Sequence, residues 1–190
     1  MRIIAGRARG TRLAPVPEGT RPMLDRVREG LFSSLAERVR GARALDLYSG
    51  TGAVGIETLS RGAEHVSFVE RDPKAVEVIR DNLRRTKFDA EGTGGTVVVA
   101  EVIRREVLAY LGGRPEPVEL VFLDAPYGLE PKELDAVMER LADGWLMPGS
   151  GWTVMLSRSP KSYTPVVPIG WDATKRLSYG DTVLTLYREA

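Results

Sequence analysis

Five short apolar runs, at residues 42–47, 66–69, 96–100, 120–123 and 152–156, recur along this chain with amphipathic stretches between them. This alternation constrains the fold more than any other feature. Short continuous apolar runs read as strands buried on both faces of a sheet. The intervals 53–61, 73–85, 103–111 and 132–141 carry apolar residues at helical spacing. Pro73 suits the first turn of one helix, and the acids Glu130 and Glu133 suit the start of another. Repeated strand–helix units with right-handed crossovers predict an α/β fold, doubly wound and mainly parallel, with helices on both faces. Two further strand patterns within 175–187, about Tyr179-Gly180-Asp181, predict an antiparallel C-terminal hairpin at one edge, giving a seven-stranded sheet.

The first forty residues differ in character. Residues 2–5 and 11–14 read as a small β-hairpin around Gly6 and Gly10, and Pro15, Pro17, Gly19 and Pro22 then forbid regular structure. From Leu24 the positions Val27, Leu31, Leu35 and Val39 recur every four residues, which predicts a helix to about Arg40, stopped by Gly41. We therefore expect an N-terminal extension at 1–41 and the main domain at 42–190. Residues 1–40 hold nine arginines against four acids, a net +5, which leaves −4 for the rest of a chain whose formal charge is +1. A basic arm on a mildly acidic body is a phosphate-binding footprint, although a solvated arginine-rich surface would look the same.

With no cysteine, disulfides, thiolate metal sites and thiol nucleophiles are excluded. The one histidine, His65, precedes an apolar run and reads as a strand-edge residue, and no metal site is expected. Neither a signal-peptide pattern nor a bilayer-length apolar run is visible, so a cytoplasmic protein without a membrane partner is expected.

The loop after the first core strand reads Asp46-Leu47-Tyr48-Ser49-Gly50-Thr51-Gly52-Ala53-Val54-Gly55. Small residues let its backbone turn sharply and pass close to a ligand, while the next helix points its N-terminus into the crevice. Gly50, Gly52 and Gly55 satisfy a dinucleotide fingerprint, and Glu70 closes the second strand 20 residues after Gly50, placed to accept from ribose hydroxyls. Asp46 separates two nucleoside cofactors. A carboxylate just ahead of the glycines opposes a pyrophosphate, but favours the ammonium and sulfonium of S-adenosylmethionine. Glu101 closes the third apolar run, where it could accept from an adenine amine or simply face solvent.

The fourth run leads into Asp124-Ala125-Pro126-Tyr127, at the next strand end beside the glycine loop. Methyl transfer to an exocyclic amine needs a carboxylate to orient the amine, a carbonyl for its other hydrogen, and a ring to stack on the extruded base. Asp124, the Ala125 carbonyl and Tyr127 can supply these. Pro126 removes a donor and biases Ala125 towards an extended conformation. A plain strand-end turn would use similar residues.

Taken together, Arg2-Ile3-Ile4-Ala5-Gly6, Arg9-Gly10, Thr20-Arg21-Pro22, Asp25-Arg26-Val27-Arg28-Glu29, Leu31-Phe32, the 46–52 loop, Leu59-Ser60-Arg61-Gly62-Ala63, Phe68-Val69-Glu70 and Tyr179-Gly180-Asp181-Thr182 resemble the RsmD-type bacterial 16S rRNA (guanine-N2)-methyltransferase family. The resemblance implies a class I, Rossmann-like S-adenosylmethionine-dependent methyltransferase that modifies a guanine of small-subunit RNA, most often in an assembled or assembling subunit. It implies S-adenosylmethionine, leaving as S-adenosylhomocysteine, held by Asp46, Tyr48, Ser49, Gly50, Thr51, Gly52, Glu70, Arg71, Glu101, Val102 and Asp124. Asp124, Ala125, Pro126 and Tyr127 would be catalytic. Arg7, Arg9, Arg21, Arg26 and Arg28 would meet RNA, although Thr20, Arg21, Arg26 and Arg28 could serve the cofactor's methionine end instead. A monomer is expected.

Three positions depart from the family pattern. Ala125 stands where a proline is usual, Glu101 where aspartate is usual, and Arg158 follows Leu156-Ser157 where an acid is common. Alternatives at this point are a DNA adenine-N6 or cytosine-N4 methyltransferase, and a catalytically weak RNA-binding assembly factor. An oxidoreductase is opposed by Asp46.

Overall fold

The computed structural model describes residues 1–15, 22–89 and 98–190. Its strands are β1 (Arg43–Leu47), β2 (His65–Glu70), β3 (Val99–Arg104), β4 (Leu120–Leu123), β5 (Thr153–Arg158), β6 (Trp171–Tyr179) and β7 (Thr182–Glu189). The helices are α1 (Asp25–Leu35), α2 (Ala53–Ser60), α3 (Pro73–Thr86), α4 (Val107–Leu111) and α5 (Pro131–Ala142). All seven strands lie in one sheet, ordered β3-β2-β1-β4-β5-β7-β6. β1 to β5 are parallel, and β7 runs antiparallel to both β5 and β6. The chain thus winds outward from β1 to β3, then returns to start β4 on the other side of β1. A crevice opens at such a switch point because the helices after β1 and β4 depart to opposite faces.

The strands alternate as their period demands. Ala44, Leu120, Phe122 and Met155 join the apolar cluster beneath α1, α2 and α3. Leu45, Leu47, Val121, Leu123, Val154 and Leu156 join the one beneath α4 and α5. Each Leu, Val, Phe or Met so buried contributes about 1.5–3 kcal/mol, so the two clusters hold the sheet's centre rigid. α3 is sharply bounded: Pro73 stands in its first turn and the Asp72 carboxylate accepts from Lys74 N at 2.9 Å.

Four sequence expectations need correction. The expected N-terminal hairpin reduces to one bridge between Arg2 and Arg12. Ile3 N donates to the Thr11 carbonyl at 3.0 Å, but Thr11 N turns to the Ala8 carbonyl at 3.1 Å and ends the ladder, while the amides of Ile4 and Ala5 donate to the buried Glu57 carboxylate at 2.8 and 3.0 Å. The first helix ends at Leu35, where Ala36 takes φ 49° and a single 3₁₀ turn (Ala36–Val39) follows. Leu35 and Val39 are both buried, so apolar spacing runs on across the break. β3 reaches Arg104, and α4 starts at Val107 rather than 103. β5 extends to Arg158, two residues beyond its apolar run. Residues 96 and 97 of the third apolar run lie outside the described residues, as do Thr20 and Arg21.

The N-terminal segment packs into the body. Ile3, Leu13, Val27, Leu31 and Phe32 share a cluster with sheet residues. Gly6 sits at φ +81°, and a Cβ there would fall 1.8 Å from the Ser60 carbonyl oxygen. That contact lets α2 grip the turn through Ser60, whose carbonyl accepts from Arg7 N at 2.8 Å and whose hydroxyl accepts from Ala8 N at 2.9 Å. At the opposite edge, β6 is mostly exposed and carries a bulge between Ala173 and Lys175.

Candidate active site

At the carboxyl end of β1 the backbone turns through Tyr48 (φ 58°), Gly50 (φ 55°) and Gly52 (φ 73°) before α2 begins. Left-handed geometry is cheap for glycine but strained for Tyr48, and such strain is typically held at functional sites. The loop is tied at several points. Ser49 Oγ donates to the Asp46 carbonyl at 2.5 Å, and Gly52 N donates to the Ser49 carbonyl at 2.8 Å. Buried Asn82 of α3 donates to the Thr51 carbonyl at 2.9 Å and accepts from Ala14 N at 2.6 Å, joining arm and loop. Gly55 must lack a side chain, since a Cβ would sit 2.3 Å from Phe68 and 2.9 Å from the Asp46 carboxylate.

Two carboxylates face this loop. Asp46 Oδ2 accepts from Gly55 N at 3.0 Å. Glu70 accepts from Gly50 N at 2.9 Å, and from Arg71 N and Asp72 N at 2.8 and 2.9 Å. Asp46 is 2% exposed. Burial pushes its pKa well above the usual 3.8, partly opposed by the Gly55 N–H, with Asp124 and Glu70 adding to the rise. The Tyr48 phenol is also pushed up, by burial first and then by Glu133 and Glu106.

These residues surround a cavity of about 400 Å³ between the ends of β1 and β4. Its walls include Asp46, Tyr48, Ser49, Gly50, Thr51, Glu70 and Arg71 on one side, and Asp124, Ala125, Pro126 and Tyr127 on the other. The two halves picked out by sequence are thus brought together. Gly52 is not among the wall residues; it closes the turn onto α2. Asp124 and Tyr127 are half-buried and Ala125 is buried. Tyr127 Oη lies 3.2 Å from Thr182 Oγ1 and 3.4 Å from the Asp181 carbonyl, so the C-terminal hairpin holds the ring's far end.

Glu101 and Val102 do not line the cavity. β3 runs three residues past Glu101, whose carboxylate instead meets Ser67 Oγ at 3.4 Å and lies 4.0 Å from His65. The strand's true end brings Arg105, Glu106 and Val107 to the cavity, with Glu106 3.4 Å from Arg71. Sequence reasoning missed Glu106, although an acid just ahead of a helix was a usable signal. It also missed Pro22 and Met23, which close the cavity from the arm side, and Ser157 and Thr182 from β5 and β7.

Of the arginines expected to meet RNA, Arg7, Arg9 and Arg26 are exposed, and Arg21 lies outside the described residues. Arg28 requires correction. It is fully buried, donating to the Arg2 carbonyl at 2.6 Å and to Asp25 at 2.8 Å, so no phosphate can reach it without unpacking α1. His65 opens β2 beside Ser67, and burial lowers its pKa, with Arg43 acting in the same direction. Among the described residues no cluster of three or more His, Asp or Glu side chains is suited to a metal ion. Nor is any helix there long and apolar enough to cross a membrane.

Residues 1–188 match the family model described as Conserved hypothetical protein 95. Ribosomal RNA small subunit methyltransferase D of Escherichia coli is 34% identical over 196 residues, covering 100% of this chain and 91% of that protein. The protein of the same name from Haemophilus influenzae is 32% identical over 192 residues, covering 99% and 93%. Among solved structures, yhhF from Escherichia coli superposes with a TM-score of 0.82 at 32% identity, over 100% of this chain and 97% of that one.

Proposed function

The chain belongs to the Conserved hypothetical protein 95 family, the RsmD-type methyltransferases, and from this premise we propose that it methylates the exocyclic N2 amine of a guanine in 16S ribosomal RNA. Its fold is that of the class I methyltransferases. One observation carries the reading: Asp46 and Glu70 share a single cavity with Asp124 and Tyr127 across the β1–β4 switch point.

The residues present suit S-adenosylmethionine. A cluster of acids around the glycine turn favours a ligand that is cationic at both ammonium and sulfonium, and disfavours a pyrophosphate. Asp46 and the backbone of Ser49 to Gly52 would hold its methionine end, Glu70 its ribose, and Glu106 its adenine. When bound, it supplies an electrophilic methyl group. Asp124 accepts a hydrogen bond from the guanine amine, the Ala125 carbonyl takes the second, and the nitrogen lone pair is thereby aimed at the methyl carbon. Tyr127 would stack on the extruded base, and Asp124 or water would take the proton that the amine sheds as the methyl group leaves the sulfonium sulfur, which departs as the neutral thioether of S-adenosylhomocysteine. Residues 42–190 perform this chemistry, while 1–41 supply a basic arm, with Arg7, Arg9 and Arg26 facing the RNA of an assembled or assembling small subunit. We place the protein in the cytoplasm as a monomer.

The test is transfer of labelled methyl from S-adenosylmethionine to unmodified small subunits, free 16S RNA and duplex DNA. The expected result is N2-methylguanine in RNA, with Asp124→Ala slower by about 10²–10⁴-fold, the range for one positioned acid–base group. Label in DNA bases would overturn the substrate. Absence of label with any acceptor would instead favour an assembly factor.

A further inference from the structure

The loop that links β4 to α5 starts at Asp124. It holds one proline, Pro126, which is exposed, and a Cβ added at Gly128 would meet nothing within 4 Å. Its own turn is closed by Leu129 N donating to the Pro126 carbonyl at 3.0 Å. With alanine rather than proline at position 125, no ring stiffens the peptide between Asp124 and Pro126.

The brace comes from β5. Arg158 ends that strand with only 6% of its surface exposed. Its Nη1 donates to the Pro126 carbonyl at 2.9 Å, and its Nη2 reaches the Tyr127 carbonyl at 3.4 Å. A guanidinium is a planar fork, so two successive peptide groups are set together rather than one at a time. Beside it in the sheet, Arg158 pairs with Val183, next to the Thr182 whose hydroxyl meets Tyr127 Oη. Tyr127 is therefore held by its carbonyl from β5 and by its phenol from β7. Burying a cation is costly, and Arg158 Nε is buried without a hydrogen-bond partner among the described residues. A residue kept solely to fill the end of β5 would be apolar.

We propose that Arg158 is a positioning residue for methyl transfer, presetting the Pro126 and Tyr127 peptides so that the Ala125 carbonyl and Tyr127 ring are in register before substrate arrives. This rests on the methyltransferase reading above. The fork meets backbone, not substrate, so its removal acts on the chemical step rather than on cofactor binding.

The experiment compares wild type, Arg158→Met and Arg158→Lys in three measurements. These are steady-state methyl transfer to small subunits, calorimetric binding of S-adenosylhomocysteine, and amide hydrogen exchange at Tyr127 and Gly128 in the free protein. Displacement of reacting groups by about 1 Å can cost on the order of 10²-fold. Arg158→Met is accordingly expected to lose about 10- to 100-fold in kcat, to bind S-adenosylhomocysteine within about twofold of wild type, and to exchange faster at both amides. Arg158→Lys, which keeps one charged donor, should fall between. A kcat within about twofold of wild type, unchanged exchange, or parallel loss of binding and turnover would each overturn the proposal. If Arg158→Met does not fold, Arg158→Lys and Arg158→Gln decide by the same readouts. A wild-type protein that methylates no RNA defeats the functional reading, whereas the exchange comparison still decides the brace.

Discussion

At the scale of single residues, Asp46 couples the cavity to pH. Its folded pKa lies above the unfolded 3.8, because burial and the neighbouring Asp124 and Glu70 disfavour its charge. The empty fold therefore holds a proton that the unfolded chain has released, and lowering pH through that window stabilises the empty protein. A cationic ligand reverses the preference. Affinity for S-adenosylmethionine should fall as pH drops through the raised pKa, by up to about tenfold per unit, with proton release on binding. Calorimetry in buffers of differing ionisation enthalpy measures that release, and Asp46→Asn should abolish it. Release undiminished in the variant would assign the proton elsewhere. His65 contributes with the opposite sign: its lowered pKa makes protonation below about 6.5 destabilising.

At the scale of elements, α2 is both floor of the glycine turn and anchor of the arm. The wholly buried Glu57 accepts from Ile4 N, Ala5 N and Arg61 Nε. Glu57→Ala strands these donors and should cost about 2–4 kcal/mol, which for a chain of this size lowers Tm by roughly 5–15 °C. Thermal unfolding followed by circular dichroism measures it, and a shift under about 2 °C would refute the anchor. Which elements were legible follows from how local their causes are. The glycine turn and the Asp124 loop could be read because each stands where an apolar run meets residues of special backbone chemistry. The end of β3 could not. It is an edge strand whose later residues, Glu101-Val102-Ile103-Arg104, set charges on either side of two apolar residues, so the apolar run ending at Ala100 marked only its start and Glu106 was overlooked. Arg28 lies on the α1 face that also carries Leu31, Phe32 and Leu35, so helical spacing could have flagged its burial. Arg158 stood out in the sequence as a departure from the family pattern, but its role could not be read there, since its partners are backbone carbonyls thirty-two and thirty-one residues away.

At the scale of the whole molecule, charge and sheet edges decide how it meets others. The cavity is ringed by acids, while Arg7 and Arg9 stand exposed on the turn that α2 grips. If that turn neutralises phosphates, Arg7→Ala or Arg9→Ala should flatten the plot of log affinity for RNA against log salt by about 0.7–0.9 per lost contact. Binding titrations at several salt concentrations provide the slope, and equal slopes for both variants and wild type would remove the arm from the interface. The sheet closes no barrel, and β6 leaves a nine-residue strand along its rim. Unpaired amides on such a rim are a template for a second chain, and a flat apolar rim would polymerise. Here the bulge at Ala173 and Lys175 breaks the repeat that an incoming strand would have to match, and Asp172, Lys175 and Arg176 stand exposed along it. The rim, one strand outside the β7 whose Thr182 meets Tyr127, is thereby kept from seeding fibrils, and the molecule can stay dispersed while crowded against its own copies.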